Sequence, residues 1–182
     1  MIAACEEVLK IDAKNFNAMI MIASALAQRT REFDLDKEEK LARAEKLATD
    51  AQAAIIAAPR PNPNVTDEQW NAAKKDYNSQ ALEALGLAAL ARKKNDVAIA
   101  KLKESVETSS QPEPATMVRL ASVYNLDNKP DAALAVLDKV MAIADLHPTI
   151  RQVAQAEKVR ATQIKGAAKP AAPAPPPAAP KP

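Results

Sequence analysis

Residues 117–140 read MVRLASVYNLDNKPDAALAVLDKV, and residues 82–105, thirty-five positions earlier, read LEALGLAALARKKNDVAIAKLKES. Set one above the other, Leu82 stands over Met117, Leu85-Gly86 over Leu120-Ala121, Ala98 over Ala133 and Leu102 over Leu137. In each stretch the apolar and small residues recur every three to four positions, the period of an amphipathic helix, in two runs parted by a short polar turn. A period near thirty-four, carried by two such helices, marks a helix-turn-helix unit that must stack on copies of itself to bury its faces. The register therefore predicts an all-α chain of antiparallel helix pairs arranged in series, an architecture that usually binds rather than catalyses.

The positions that carry the register resemble those of the tetratricopeptide repeat (TPR). Leu82, Leu85, Gly86 and Ala89 are followed by Ala98, Leu102 and Ser105, and Met117, Leu120, Ala121 and Tyr124 by Ala133, Leu137 and Val140. Ala89 in the aromatic position and Ser105 in the last small position depart from the family pattern. A looser copy precedes them, with Met19, Ile22, Ala23 and Leu26 in its first helix and Ala44, Ala48 and Ala51 in its second. In that copy, residues 28–40 replace a short turn. The resemblance implies a right-handed superhelical solenoid. It divides the chain into a half repeat at 1–14, a repeat at 16–58 with the inserted turn, and a linker at 59–65. A repeat at 66–110 with an extended first helix, a repeat at 114–147 and a capping helix at 149–165 complete the domain. Met1 falls inside a repeat in this phase, which predicts a fragment or an N-terminally truncated reading frame of a bacterial TPR protein.

Local signals agree. Alanine makes up about a fifth of the chain and aromatic residues only 3%, so the core is to be built from small and aliphatic side chains with no run of strand-forming residues. After the proline-rich run at 59–64, Thr66 with Gln69 reads as a capping box and Val65 with Trp70 as a hydrophobic staple. A helix follows to about Lys93, several turns longer than a repeat helix, and the extra turns carry Trp70 and Tyr77. Asn95 or Asp96 is placed to cap the next helix, and Pro130-Asp131 to open a later one. From Gly166 onward the sequence turns to Ala, Pro and Lys, and residues 169–182 hold half of the chain's 14 prolines. Lacking large apolar side chains, residues 166–182 are expected to form a disordered, partly polyproline II tail, either a spacer or a ligand for an aromatic-lined groove.

The catalytic inventory is thin. His147 is the single histidine and Cys5 the single cysteine, so no disulfide and no His- or thiolate-rich metal cage is expected within one chain. Cys5 follows Ile2-Ala3-Ala4 as in a lipoprotein cleavage box, but it also fits an apolar position of a repeat helix, the preferred reading. With Gly86 and Gly166 as the only glycines, there is no phosphate-binding loop. Asp34, Asp36 and Glu38 alternate like calcium ligands yet lack the turn glycine and the distal acid, which favours a solvated acidic loop. A net charge of +2 with alternating signs gives no support to nucleic-acid binding, and no apolar run is long enough to span a membrane. No enzymatic activity, cofactor or metal is expected. The compartment stays open, bacterial cytoplasm or periplasm, since an export signal could lie upstream.

What remains is surface. The resemblance implies that the first helices line a concave groove, at Asn17, Ile20, Ser24, Gln80, Glu83, Leu87, Ala115, Val118, Ser122 and Asn125. Ile20, Glu83 and Val118 stand where the resemblance implies the lysines of carboxylate-clamping family members, so a receptor for a peptide's terminal carboxylate is not expected. The groove instead suits an extended or helical peptide held by apolar contacts and side-chain hydrogen bonds. The resulting expectation is a non-enzymatic protein-protein interaction scaffold, of a kind that would serve a bacterial envelope or secretion assembly. The alternatives are a structural or tethering module and a regulatory part of a larger multidomain protein.

Overall fold

The computed structural model describes residues 1–167, which form eight α-helices and no strand. They are α1 (Ile2–Ile11), α2 (Phe16–Arg29), α3 (Lys37–Ala57), α4 (Asp67–Ala91), α5 (Asn95–Thr108), α6 (Pro114–Leu126), α7 (Pro130–Met141) and α8 (Pro148–Ala167). Each helix packs on the next in the chain; in addition α2 touches α4, and α6 touches α8. Turns of three to five residues make α1–α2, α4–α5, α5–α6 and α6–α7 antiparallel, and α7 and α8 run antiparallel as well, since Asp138 meets Lys158 while Asp131 meets Lys165.

The thirty-five-residue register reappears in the backbone. Lys93, with φ 61°, and Asn128, with φ 54°, both take the left-handed conformation one residue beyond a helix cap. At the first turn, the Lys93 N–H donates to Leu90 O (2.8 Å) and the Lys94 N–H to Ala89 O (3.0 Å). At the second, the Asn128 N–H donates to Asn125 O (3.3 Å) and the Lys129 N–H to Tyr124 O (2.8 Å). Both are Schellman turns, which answer carbonyls that a helix end leaves unpaired. The first displaces the expected side-chain cap of α5: the N-cap is Lys94, without a capping side chain, and Asn95 is already helical. Asp96 still places its charge in the first turn, where the helix dipole favours it.

α4 starts directly behind Thr66, whose hydroxyl accepts from the Gln69 N–H (3.2 Å) while Gln69 Oε1 accepts from the Thr66 N–H (3.0 Å). The inserted turn is narrower than residues 28–40. α2 continues to Arg29 and α3 begins at Lys37, because Glu38 and Glu39 suit a helix N-terminus. Within the turn, Asp34 accepts from the Arg31 N–H (3.1 Å) and, like Asp36 at 2.8 Å, pairs with Lys40, while Lys93 pairs with Glu32. The Arg31 bond, ahead of the Lys40 bond, holds the Asp34 carboxyl below the usual aspartate range. These acids answer cations of the chain itself, and the turn leaves Phe33 and Leu35 fully exposed. At the other end, Gly166 and Ala167 belong to α8, so the helical part runs past the expected boundary at 165. The remainder of the Ala/Pro/Lys segment lies outside the described residues.

The core runs in series. One cluster joins Cys5, Ile22, Leu26, Leu41 and Leu87, and another Met117, Ala121, Ala133, Leu137, Val140 and Ala154. Ala98, Leu102, Leu120 and Val123 connect the middle. Removing a Leu or Ile side chain of this size from water is worth about 2 kcal/mol each. At Gly86 the α4 backbone comes so near α5 that a Cβ would stand 2.7 Å from Leu102 Cγ.

Candidate partner-binding face

The ten groove positions do not form one open surface. On α2, Asn17 is exposed and Ser24 partly buried, whereas Ile20 packs with Ala51, Ile55 and Ala81. On α4, Gln80 is exposed, Glu83 is partly buried and ion-paired to Arg119, and Leu87 belongs to the core around Ile22 and Leu41. On α6, Ala115 and Ser122 are partly buried, and Val118 and Asn125 are buried.

The burial on α6 has a specific cause. α8 lies against it and brings Glu157, whose Oε1 accepts from the Ser122 hydroxyl (3.1 Å) and whose Oε2 accepts from Asn125 Nδ2 (2.7 Å). Asn125 Nδ2 also donates to the Glu157 carbonyl (3.0 Å). A buried amide needs such partners. α8 thus takes up hydrogen-bonding groups that the sequence offers to a ligand. Glu157 itself carried no sequence signal, being one acid on a mostly polar helix.

Between α6 and α8 an apolar cleft stays open, lined by Ala115, Val118, Arg119, Thr149, Ile150 and Val153. Its volume of about 180 Å³ falls below the roughly 300–1,000 Å³ of small-molecule pockets, so it suits a single side chain of a larger partner. Arg119, half exposed and already paired with Glu83, stands at its edge. Two groove positions, Ala115 and Val118, are thereby brought into one concave feature.

A second cleft, about 470 Å³, opens where the turn between α1 and α2, the end of α3 and the start of α4 converge. Asp12, Lys14, Phe16, Ala54, Ala57, Ala58, Pro59, Pro61 and Trp70 line it. Its aromatic wall is fixed. Trp70 Nε1 donates to Ala58 O (3.3 Å), Lys74 Nζ lies 5.6 Å from the indole centroid, and Tyr77 bridges edge-on from Trp70 (6.5 Å) to Phe16 (4.9 Å). The overlong α4 was the sequence signal for this cleft. The meeting of Trp70 with Phe16 and the prolines was not readable, since they come from separate segments.

Two polar anchors steady α4. Arg92 donates to Glu38 (2.7 Å) and pairs with Glu45, and the first of these bonds holds Glu38 below the usual glutamate range. Burial pushes the Asp76 carboxyl up, but bonds from the Ser110 N–H (2.8 Å), the Ser110 hydroxyl and the Ser109 hydroxyl (3.1 Å) outweigh it and set its pKa low. Neither anchor includes a histidine or a cysteine. His147 is exposed, its Nδ1 accepting from the Thr149 N–H (3.3 Å). Among the described residues no three His, Cys, Asp or Glu side chains gather as for a metal, and no helix is long and apolar enough to cross a membrane. No protein-family model, curated protein or solved structure matches the chain.

Proposed function

We propose that this protein is a non-enzymatic scaffold of TPR-like helix pairs, coiled into a right-handed superhelix, that binds a peptide or protein partner along α4, α6 and α8. The observation that carries this reading is the α6–α8 cleft, where Ala115, Val118 and Val153 surround room for one aliphatic side chain beside Arg119 and Glu83. Gln80 and Glu83 on α4 extend the same line with groups able to hydrogen-bond a backbone. A peptide would then be held by one apolar anchor and a few polar contacts, the usual division of work at a peptide groove. The duplicated turns at Lys93 and Asn128 support the repeat reading.

Selecting binders from a displayed peptide library on the purified chain tests this. Enriched peptides should share a Leu, Ile or Val anchor. Val153→Glu should weaken them about tenfold or more, because a charge in an apolar seat costs at least ~1.4 kcal/mol, while Ile56→Glu on α3 should leave them unchanged. Equal binding to wild type and Val153→Glu would remove the cleft from consideration.

A further inference from the structure

We infer that the Trp70 cleft is a docking site for the triple proline Pro175-Pro176-Pro177, within the Ala/Pro/Lys segment 169–182, of a second copy of this chain. The cleft and the segment match in shape, charge and order. The cleft offers an indole, a phenyl ring, two prolines and three alanines. The segment presents only proline and alanine apart from Lys169 and Lys181. Proline rings of a polyproline II strand are read by grooves lined with aromatic rings, because the flat ring stacks and the strand forfeits little entropy on binding. The receiving side is likewise set in advance, with Trp70 held by Ala58 O, by Lys74 and by Tyr77. Preorganisation on both sides lowers the ordering cost of association.

Charge adds direction. Asp12 on the cleft rim is exposed and makes no ion pair among the described residues; its carboxylate accepts only from the Lys14 N–H (3.0 Å) and the Asn15 amide (3.4 Å). Lys169 or Lys181 can answer it. Lys14 shares the rim and opposes a lysine there, so the attraction is modest.

Geometry selects a second copy over the chain's own triple proline. α4, α6 and α8 run the same way, each joined to the next through an antiparallel helix. The start of α4 and the end of α8 therefore lie at opposite ends of the stack. Crossing the length of α8, about 30 Å, and two helix layers of about 10 Å each needs about 36 Å along the diagonal. Pro177 lies ten residues beyond Ala167, which gives about 31 Å of polyproline II reach. The triple proline thus falls short of the cleft on its own molecule and meets no such limit on another, whereas the isolated Pro180 and Pro182, 13 and 15 residues beyond Ala167, have about 40 and 46 Å of reach and do not make the choice.

The test uses the full chain, whose single tryptophan is Trp70. Sedimentation and tryptophan emission are recorded together over a wide concentration range. Wild type should associate as concentration rises, with a matching change in emission. A variant with Pro175→Gly, Pro176→Gly and Pro177→Gly should keep its helical circular dichroism and stay monomeric. Adding a synthetic peptide of residues 169–182 to that variant should shift its emission saturably, and Asp12→Lys should weaken the peptide about threefold, more at low salt. Three results would overturn the proposal: no emission response to the peptide, association undiminished in the proline variant, or an emission difference between the two proteins that does not depend on concentration. The last would mean that the segment occupies its own molecule.

Discussion

A methyl group added at Gly86 would stand 2.7 Å from Leu102 Cγ and 3.3 Å from the Leu102 backbone nitrogen. Leu102 is fully buried and has nowhere to retreat. Gly86→Ala gains about 1 kcal/mol of helix propensity but forces overpacking that costs about 1–3 kcal/mol. The balance is a net loss of about 1 kcal/mol, to be read from the midpoint of urea unfolding. Lys93 is the opposite case. Its left-handed φ of 61° strains an L-residue by about 1 kcal/mol, and its surface pair with Glu32 returns less than that. Lys93→Gly should stabilise by about 0.5 kcal/mol, whereas Lys93→Ala, which keeps the strain and loses the pair, should not. Asp76 provides the pH response. Its folded-state pKa is lowered, so its contribution is complete above the unfolded value near pH 4 and disappears as pH falls through the folded value. Asp76→Asn should flatten the acid limb of the stability profile, an outcome measurable by thermal melts between mild and strong acid.

Among the elements, α8 shows where sequence reasoning holds and where it stops. Its existence and approximate ends follow from helical spacing of Ile150, Val153, Val159 and Ile164 after Pro148. What it covers does not follow, because Glu157 meets Ser122 and Asn125 through tertiary hydrogen bonds that leave no periodic trace. The same limit explains the groove. A face assigned by position along α2, α4 and α6 includes Ile20 and Leu87, which the neighbouring helices bury. Periodicity identifies which side of a helix is apolar, and packing decides how much of the remainder stays open. The Lys94 cap of α5 was likewise hidden, since a Schellman turn is specified by backbone conformation and not by a capping side chain. Glu157→Ala would leave the buried Asn125 amide without its side-chain acceptor, a loss of about 1–3 kcal/mol. Hydrogen exchange should then show faster opening in α8 with little change in α2 and α3.

At the scale of the whole molecule, a core laid out in series makes damage local. Leu137 is fully buried among Met117, Ala121 and Val140, so Leu137→Ala should cost about 3 kcal/mol. In a stack whose units support mainly their neighbours, that loss should fall on α6, α7 and α8 before it reaches α1, α2 and α3. Urea unfolding followed by exchange at individual amides should separate the two halves; a single concerted transition would show that the middle cluster of Leu102, Leu120 and Val123 couples them fully.

The paired turns at Lys93 and Asn128 also bear on how such a chain grows. Because the backbone passes from the first helix of a pair to the second through the same hydrogen bonds at both places, a duplicated copy of residues 93–127 could be spliced in at Asn128 with compatible junctions at either end. The inserted unit would meet surfaces already shaped to receive it. A gene carrying that duplication should yield a longer, more helical protein that still folds, so the length of the array is open to change by recombination without redesign of its parts.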